Sequence, residues 1–215
     1  MLDGVKIVNP GDIERRSFEI ISETLGEKIF PPFHEKIIKR VIHATADFEF
    51  ADILTISGMA VSKAFEAIRS GSNIATDTKM AAVGINGKAL TGFGGQIVCR
   101  MDDEAIASEA KARNITRASV CMEKAAADRN NRIFAVGNAP TALIRLAELI
   151  REGIISPALV IGVPVGFVNV IESKELIKAS GVPYIVSEGR KGGSNVAAAI
   201  VNAILYQMHE LDKAL

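Results

Sequence analysis

Short apolar runs such as "ALVIGVP" (158–164) and "RIFAVGN" (132–138) alternate along the chain with segments of helical period. That alternation constrains the fold more than any other feature. A strand that is apolar at nearly every position must be covered on both faces, and strands linked through helices pair in parallel. The expected strands lie at 51–57, 73–77, 96–101, 132–138, 158–164 and 183–189. The expected helices lie at 9–26, 31–47, 59–71, 77–83, 102–114, 117–130, 139–153, 171–181 and 194–211. "KALTGFGG" (88–95) reads as a glycine-rich loop. No Pro- or Ser-rich linker, repeat or low-complexity tract divides the chain. The expectation is one α/β domain over 1–215, doubly wound, with a mostly parallel sheet and helices on both faces in three α/β/α layers.

The chain has 215 residues, 48% of them hydrophobic, enough for one sizeable core. Lys plus Arg number 25 and Asp plus Glu number 25, so no general positive field favours nucleic acid. Cys99 and Cys121 stand far apart without CxxC spacing and read as reduced thiols of a cytoplasmic protein. His34, His43 and His209 have no i, i+4 ligand partner, so no metal site is expected. "MLDGVKIVNP" lacks the pattern of a signal peptide, and the apolar runs break before they reach membrane-spanning length.

In an open α/β sheet, ligands gather beyond the carboxyl ends of the strands. The turns expected there are rich in Gly, Ser, Thr and Asn, and several lead into helix N-termini, whose free N–H groups suit anions. "GRKGGSN" sets Arg190 and Lys191 beside Gly192 and Gly193, with Ser194 and Asn195 as possible caps. On this stretch alone, a solvated turn with ordinary capping is as good a description as an anion site. It is neither a P-loop nor a dinucleotide fingerprint.

"KRVIHATAD" (39–47) raises a sharper question. On a helix, His43 shares its face with Lys39, Arg40, Ala46 and Asp47, while Ile37, Ile38, Val41 and Ile42 take the other side. That spacing disfavours a core histidine and leaves a surface residue or a proton donor and acceptor. Arg40 would lower the imidazole pKa and Asp47 would raise it, with the net sign open. "DIERRSFE" carries a comparable stripe of Glu14, Ser17 and Phe18, with Arg15 and Arg16 beside it.

Six stretches in order carry a resemblance: "NPGDIERRSFEII", "KRVIHATADFEFAD", "ATDTKMAAVGI", "FAVGNAPTAL", "GVPVGFVNVIESKE" and "EGRKGGSNVAAAI". Together, from about residue 5 to 207, they resemble the precorrin-8X methylmutase (precorrin isomerase) family of cobalamin biosynthesis. The resemblance implies an α/β homodimer that moves a methyl group from C-11 to C-12 of ring C. Precorrin-8X would become hydrogenobyrinate, or cobalt-precorrin-8 would become cobyrinate. It implies no cofactor and no external methyl donor. The family's proton donor or acceptor falls on His43, and its substrate contacts fall on Ser17 and Arg40. Arg16, Arg190, Lys191, Ser194 and Asn195 join the expected substrate-binding set from their motif positions. The competing expectations are a corrinoid carrier without catalysis, a phosphate- or nucleotide-binding α/β enzyme and, least supported, a DNA-binding regulator.

Overall fold

The structure, a computed structural model, describes residues 9–213. The N-terminal stretch 1–8, on which part of the signal-peptide reading falls, and residues 214–215 lie outside the described residues. Elements follow in the order α1 (Ile13–Leu25, after a 3-10 turn at Pro10–Asp12), α2 (His34–Thr45), α3 (Phe50–Ile53), β1 (Leu54–Ile56) and α4 (Ala60–Arg69). Next come β2 (Asn73–Thr76), α5 (Lys79–Gly84), α6 (Gly87–Thr91), β3 (Ile97–Val98), α7 (Glu104–Arg113) and α8 (Arg117–Ala126). The chain closes with β4 (Asn131–Val136), α9 (Pro140–Arg151), β5 (Leu159–Gly162), α10 (Val170–Lys178), β6 (Tyr184–Ser187) and α11 (Ser194–Lys213).

The six strands form one sheet in the order β1-β6-β5-β4-β2-β3. All neighbours are parallel except β1, which runs antiparallel to β6 with Leu54 opposite Ser187. The apolar runs behave as double-sided strands must. Ile74, Ile133, Leu159, Ile161 and Ile185 face a core shared with α2, α4, α5, α6 and α11. Ala75, Phe134, Val136, Val160 and Val186 face a second core shared with α7, α8, α9 and α10. This is the expected three-layer arrangement.

Three local expectations are corrected. Ala51–Ile53 belongs to the helical turn α3, so β1 begins only at Leu54. The Asp47 carboxylate accepts the Glu49 N–H, and buried Phe50 anchors the turn. Within the glycine-rich stretch, Gly87–Thr91 is the short helix α6, because the Asn86 carboxamide accepts the Ala89 N–H and Leu90 is fully buried. β3 is two residues long instead of six.

At the carboxyl ends of β2 and β4 the connection order reverses. This crevice is closed from inside. The buried Asp77 carboxylate accepts N–H bonds from Gly137 (2.9 Å), Asn138 (2.9 Å) and Ala139 (2.7 Å). Burial pushes the pKa of this carboxyl up, and the amide donors oppose that shift. Gly137 is required here by close approach: a Cβ would lie 2.6 Å from Ser194 Cα.

Candidate active site

α2 is built by its pattern. Ile37, Ile38, Val41 and Ile42 are buried and face α11, while His43 is exposed on the opposite stripe. Two contacts orient the helix. Lys36 near its start pairs with Glu210 at the far end of α11, and Asp47 just past its end pairs with Lys191 in the turn after β6. α2 therefore climbs toward the carboxyl rim of the sheet and delivers His43 there.

α1 packs along α2 and completes the environment of the histidine. The Phe18 ring stacks on the His43 imidazole, with centroids 5.2 Å apart and planes at 17°. The Arg40 guanidinium lies 4.7 Å from the Phe18 centroid and 5.1 Å from that of Tyr206 on α11. Glu14 pairs with Arg40, and Lys39 Nζ donates to Ser22 Oγ at 2.9 Å. Ser17, one residue from Phe18, donates its hydroxyl to Ile13 O at 2.8 Å. The structure thus brings Arg40 and His43 together on the Phe18 ring, with Ser17 the next residue to Phe18 on α1.

Arg16 sits elsewhere. It lies two positions from Phe18, about 200° around α1, and its guanidinium is taken by Glu19 and Glu23 on the helix's outer face. These exposed acids raise the Arg16 pKa, chiefly through its hydrogen bond to Glu19.

The turn after β6 is more structural than its composition suggested. Lys191 Nζ lies 2.6 Å from both Asp47 and Glu49, so its charge is spent on the end of α2. The pairing holds Asp47 below the usual carboxylate range and raises Lys191 above the usual ammonium range. Ser194 is the first residue of α11 and not its cap. It is buried, and its hydroxyl bonds that of Thr78 at 2.8 Å. Asn195 and Arg190 remain exposed, with Arg190 6.0 Å from the ring of exposed Phe167. A Cβ on Gly192 would fall 2.1 Å from Val163 O, so only glycine lets this turn press on the end of β5.

Sequence reasoning passed over Lys174, which lies within the "IESKE" stretch. It is 1% exposed, and its ammonium donates to the carbonyls of Gly189 (2.9 Å) and Lys191 (3.0 Å). Burial lowers its pKa to about 8, against the pull of Glu188. Phe18 and Tyr206 were also passed over as site residues; each reads locally as an ordinary helix-face aromatic. Cys121 is buried beside Met101, with its thiol pushed up to about 11, mainly by desolvation, and is no candidate nucleophile. Among the described residues no cluster of three or more His, Cys, Asp or Glu side chains is arranged to hold a metal ion.

Comparison with known proteins matches this geometry to one family. The sequence model described as precorrin-8X methylmutase matches residues 12–207. The cobalt-precorrin-8 methylmutase of Salmonella typhimurium is 46% identical, covering 95% of this chain and 98% of that protein. That of Priestia megaterium is 45% identical, covering 92% and 88%. The precorrin-8X methylmutase of Pseudomonas aeruginosa is 36% identical, covering 89% and 93%. The crystal structure of precorrin-8X methyl mutase from Thermus thermophilus superposes with a TM-score of 0.84 at 39% identity, covering 93% of this chain and 98% of that one.

Proposed function

The chain belongs to the precorrin-8X methylmutase family and is a methyl-shifting isomerase of cobalamin biosynthesis, and from this we propose how its own residues serve the reaction. His43 is the proton donor or acceptor for ring C of the macrocycle. Ser17 and Arg40 bind the substrate beside it. The observation that carries this reading is the meeting of Arg40 and His43 on the Phe18 ring at the rim end of α2, with Ser17 adjacent to Phe18 in α1.

The methyl shift from C-11 to C-12 is intramolecular and rearranges the conjugated double bonds. An imidazole that protonates or hydrogen-bonds the ring-C nitrogen polarises this system and eases the migration. Phe18 holds the imidazole plane while leaving its nitrogens free of protein partners among the described residues. The substrate is an apolar ring edged with carboxylates. Exposed Val165, Phe167 and Val168 near Arg190 offer apolar contact at the same rim, and Arg190 and Asn195 are placed to meet peripheral acids. Lys191, Ser194 and Arg16 stay in the proposed set only in supporting roles, since each is engaged by the protein itself.

We further propose that the substrate carries cobalt, because six relatives named for cobalt-precorrin-8 share 37–46% of their residues with this chain, against 36% and 32% for two named for precorrin-8X. Cytoplasmic location and a homodimer belong to the same proposal. Among the described residues no helix is long and apolar enough to cross a membrane. In the single chain His43 faces an open surface, and a second copy would supply the walls that exclude water.

The test is separate incubation with cobalt-precorrin-8 and metal-free precorrin-8X, followed by absorption spectroscopy, since an isomerisation leaves mass unchanged. Conversion within one turnover separates an enzyme from a corrinoid carrier. Faster conversion of the cobalt form supports the assigned branch. His43→Ala should cut the rate by roughly two to four decades; turnover within threefold of wild type removes the imidazole from the mechanism.

A further inference from the structure

Between α1, α2 and α11 lies a cavity of about 200 Å³, lined among others by Phe18, Lys36, Lys39, Arg40, Tyr206 and Gln207. His43 does not line it, yet Phe18 touches both the cavity and the imidazole. The volume is several times the share of one water molecule and far too small for a tetrapyrrole. It fits a single short side arm.

The charge around it is mostly positive: among the described residues its lining carries three cations and one acid, Glu210. Lys36, Lys39 and Arg40 contribute the cations; each pairs with an exposed acid, Lys36 with Glu210 at the cavity wall, Lys39 with Glu35 and Arg40 with Glu14. Such solvent-screened pairs are weak and exchange readily for a ligand carboxylate. Arg40 is held between the faces of Phe18 and Tyr206, which pre-orients its guanidinium. The wall contains one further signal. Gln207 is 3% exposed, and its Nε2 donates to Ala203 O at 3.1 Å. Its Oε1 has no hydrogen-bond partner among the described residues. A buried acceptor in that state calls for a donor, and a water shared with an anion supplies one.

We propose that this cavity is a subsite for one acetate or propionate arm of the macrocycle. Lys39 and Arg40 neutralise the carboxylate, and a water links it to Gln207 Oε1. This rests on the reading of Ser17, Arg40 and His43 as the substrate site. Seating one arm here fixes the rotation of the ring relative to the imidazole, through the shared Phe18. Lys39, Tyr206 and Gln207 are then determinants of specificity for an acid over an ester or amide.

The experiment titrates the purified protein with two probes, cobyrinate and its fully methyl-esterified form, at low salt. Lys39→Met should weaken cobyrinate binding about tenfold and leave the ester within twofold of wild type. Lys39→Arg, which keeps the charge, should stay within threefold for both. Gln207→Leu, which removes the unpartnered acceptor, should weaken cobyrinate at least threefold and supplies the same comparison should Lys39→Met not fold. Cobyrinate binding unchanged in both Lys39→Met and Gln207→Leu overturns the subsite while leaving the rest of the site standing. Equal losses for acid and ester also overturn it, because they report general damage. A wild-type protein that binds neither probe removes the substrate-site reading, and the subsite with it.

Discussion

Removing the Asp77 side chain would take the acceptor from three amide donors, the buried one of Gly137 and the part-buried ones of Asn138 and Ala139. Asp77→Ala should therefore cost about 3 kcal/mol or more in urea unfolding, and Asp77→Asn, which keeps one acceptor oxygen, distinctly less. Lys174 makes the opposite electrostatic case. Its folded pKa of about 8 lies below the 10.5 of an unperturbed lysine. Below pH 8 both states carry the proton, and the full cost of burying the charge is present. Between pH 8 and 10.5 the unfolded chain binds more protons, so this group makes the fold more stable as pH rises. Measured against Lys174→Met, wild type should gain roughly 2–3 kcal/mol across that window; a flat difference refutes the shift. Neither residue was legible. Asp77 sat in a polar turn and Lys174 in a polar helix, and both owe their burial to partners 60 or 15 positions away. His43 and Arg40 were legible because three-residue spacing puts them on one stripe of one helix. Arg16 shows the limit of that logic: about 200° of rotation from Phe18 turned it to the outside.

At the scale of elements, α2 and the turn before α11 do the positioning. Ile42 is 1% exposed, directly beneath the stripe that bears His43. Ile42→Ala should cost about 2–5 kcal/mol and reduce activity beyond what the fraction unfolded explains, because the helix resettles on α11. Gly192→Ala meets backbone, not a flexible side chain, since Val163 O and Pro164 O lie 2.1 and 2.9 Å from the added atom. The turn must move, Lys191 loses its reach to Asp47, and both stability and product affinity should fall; an unchanged melting temperature would refute this. The long helices and the two-sided strands were readable from period and apolar runs. α6 was not, because Gly87, Gly92, Gly94 and Gly95 outweigh the Asn86 cap in any local reading, and the burial of Leu90 is a long-range fact. α3 was missed because "ADIL" suits a strand as well as a turn of helix.

For the whole molecule, two apolar cores lie on opposite faces of one sheet and share its strands residue by residue. Neither can dissolve without exposing the other, so thermal unfolding should follow a single transition by both far-ultraviolet and tyrosine signals. Association has a geometric boundary set by the sheet's two margins. β1 offers three residues and β3 two, clipped ends that leave almost no ladder for another chain to extend. A second copy, in the homodimer proposed above, would have to join through helix flanks and rim loops, side chain against side chain. Recognition of such a partner would then be written in packing complementarity, with little room along the described strands for backbone fusion into a continuous intermolecular ribbon.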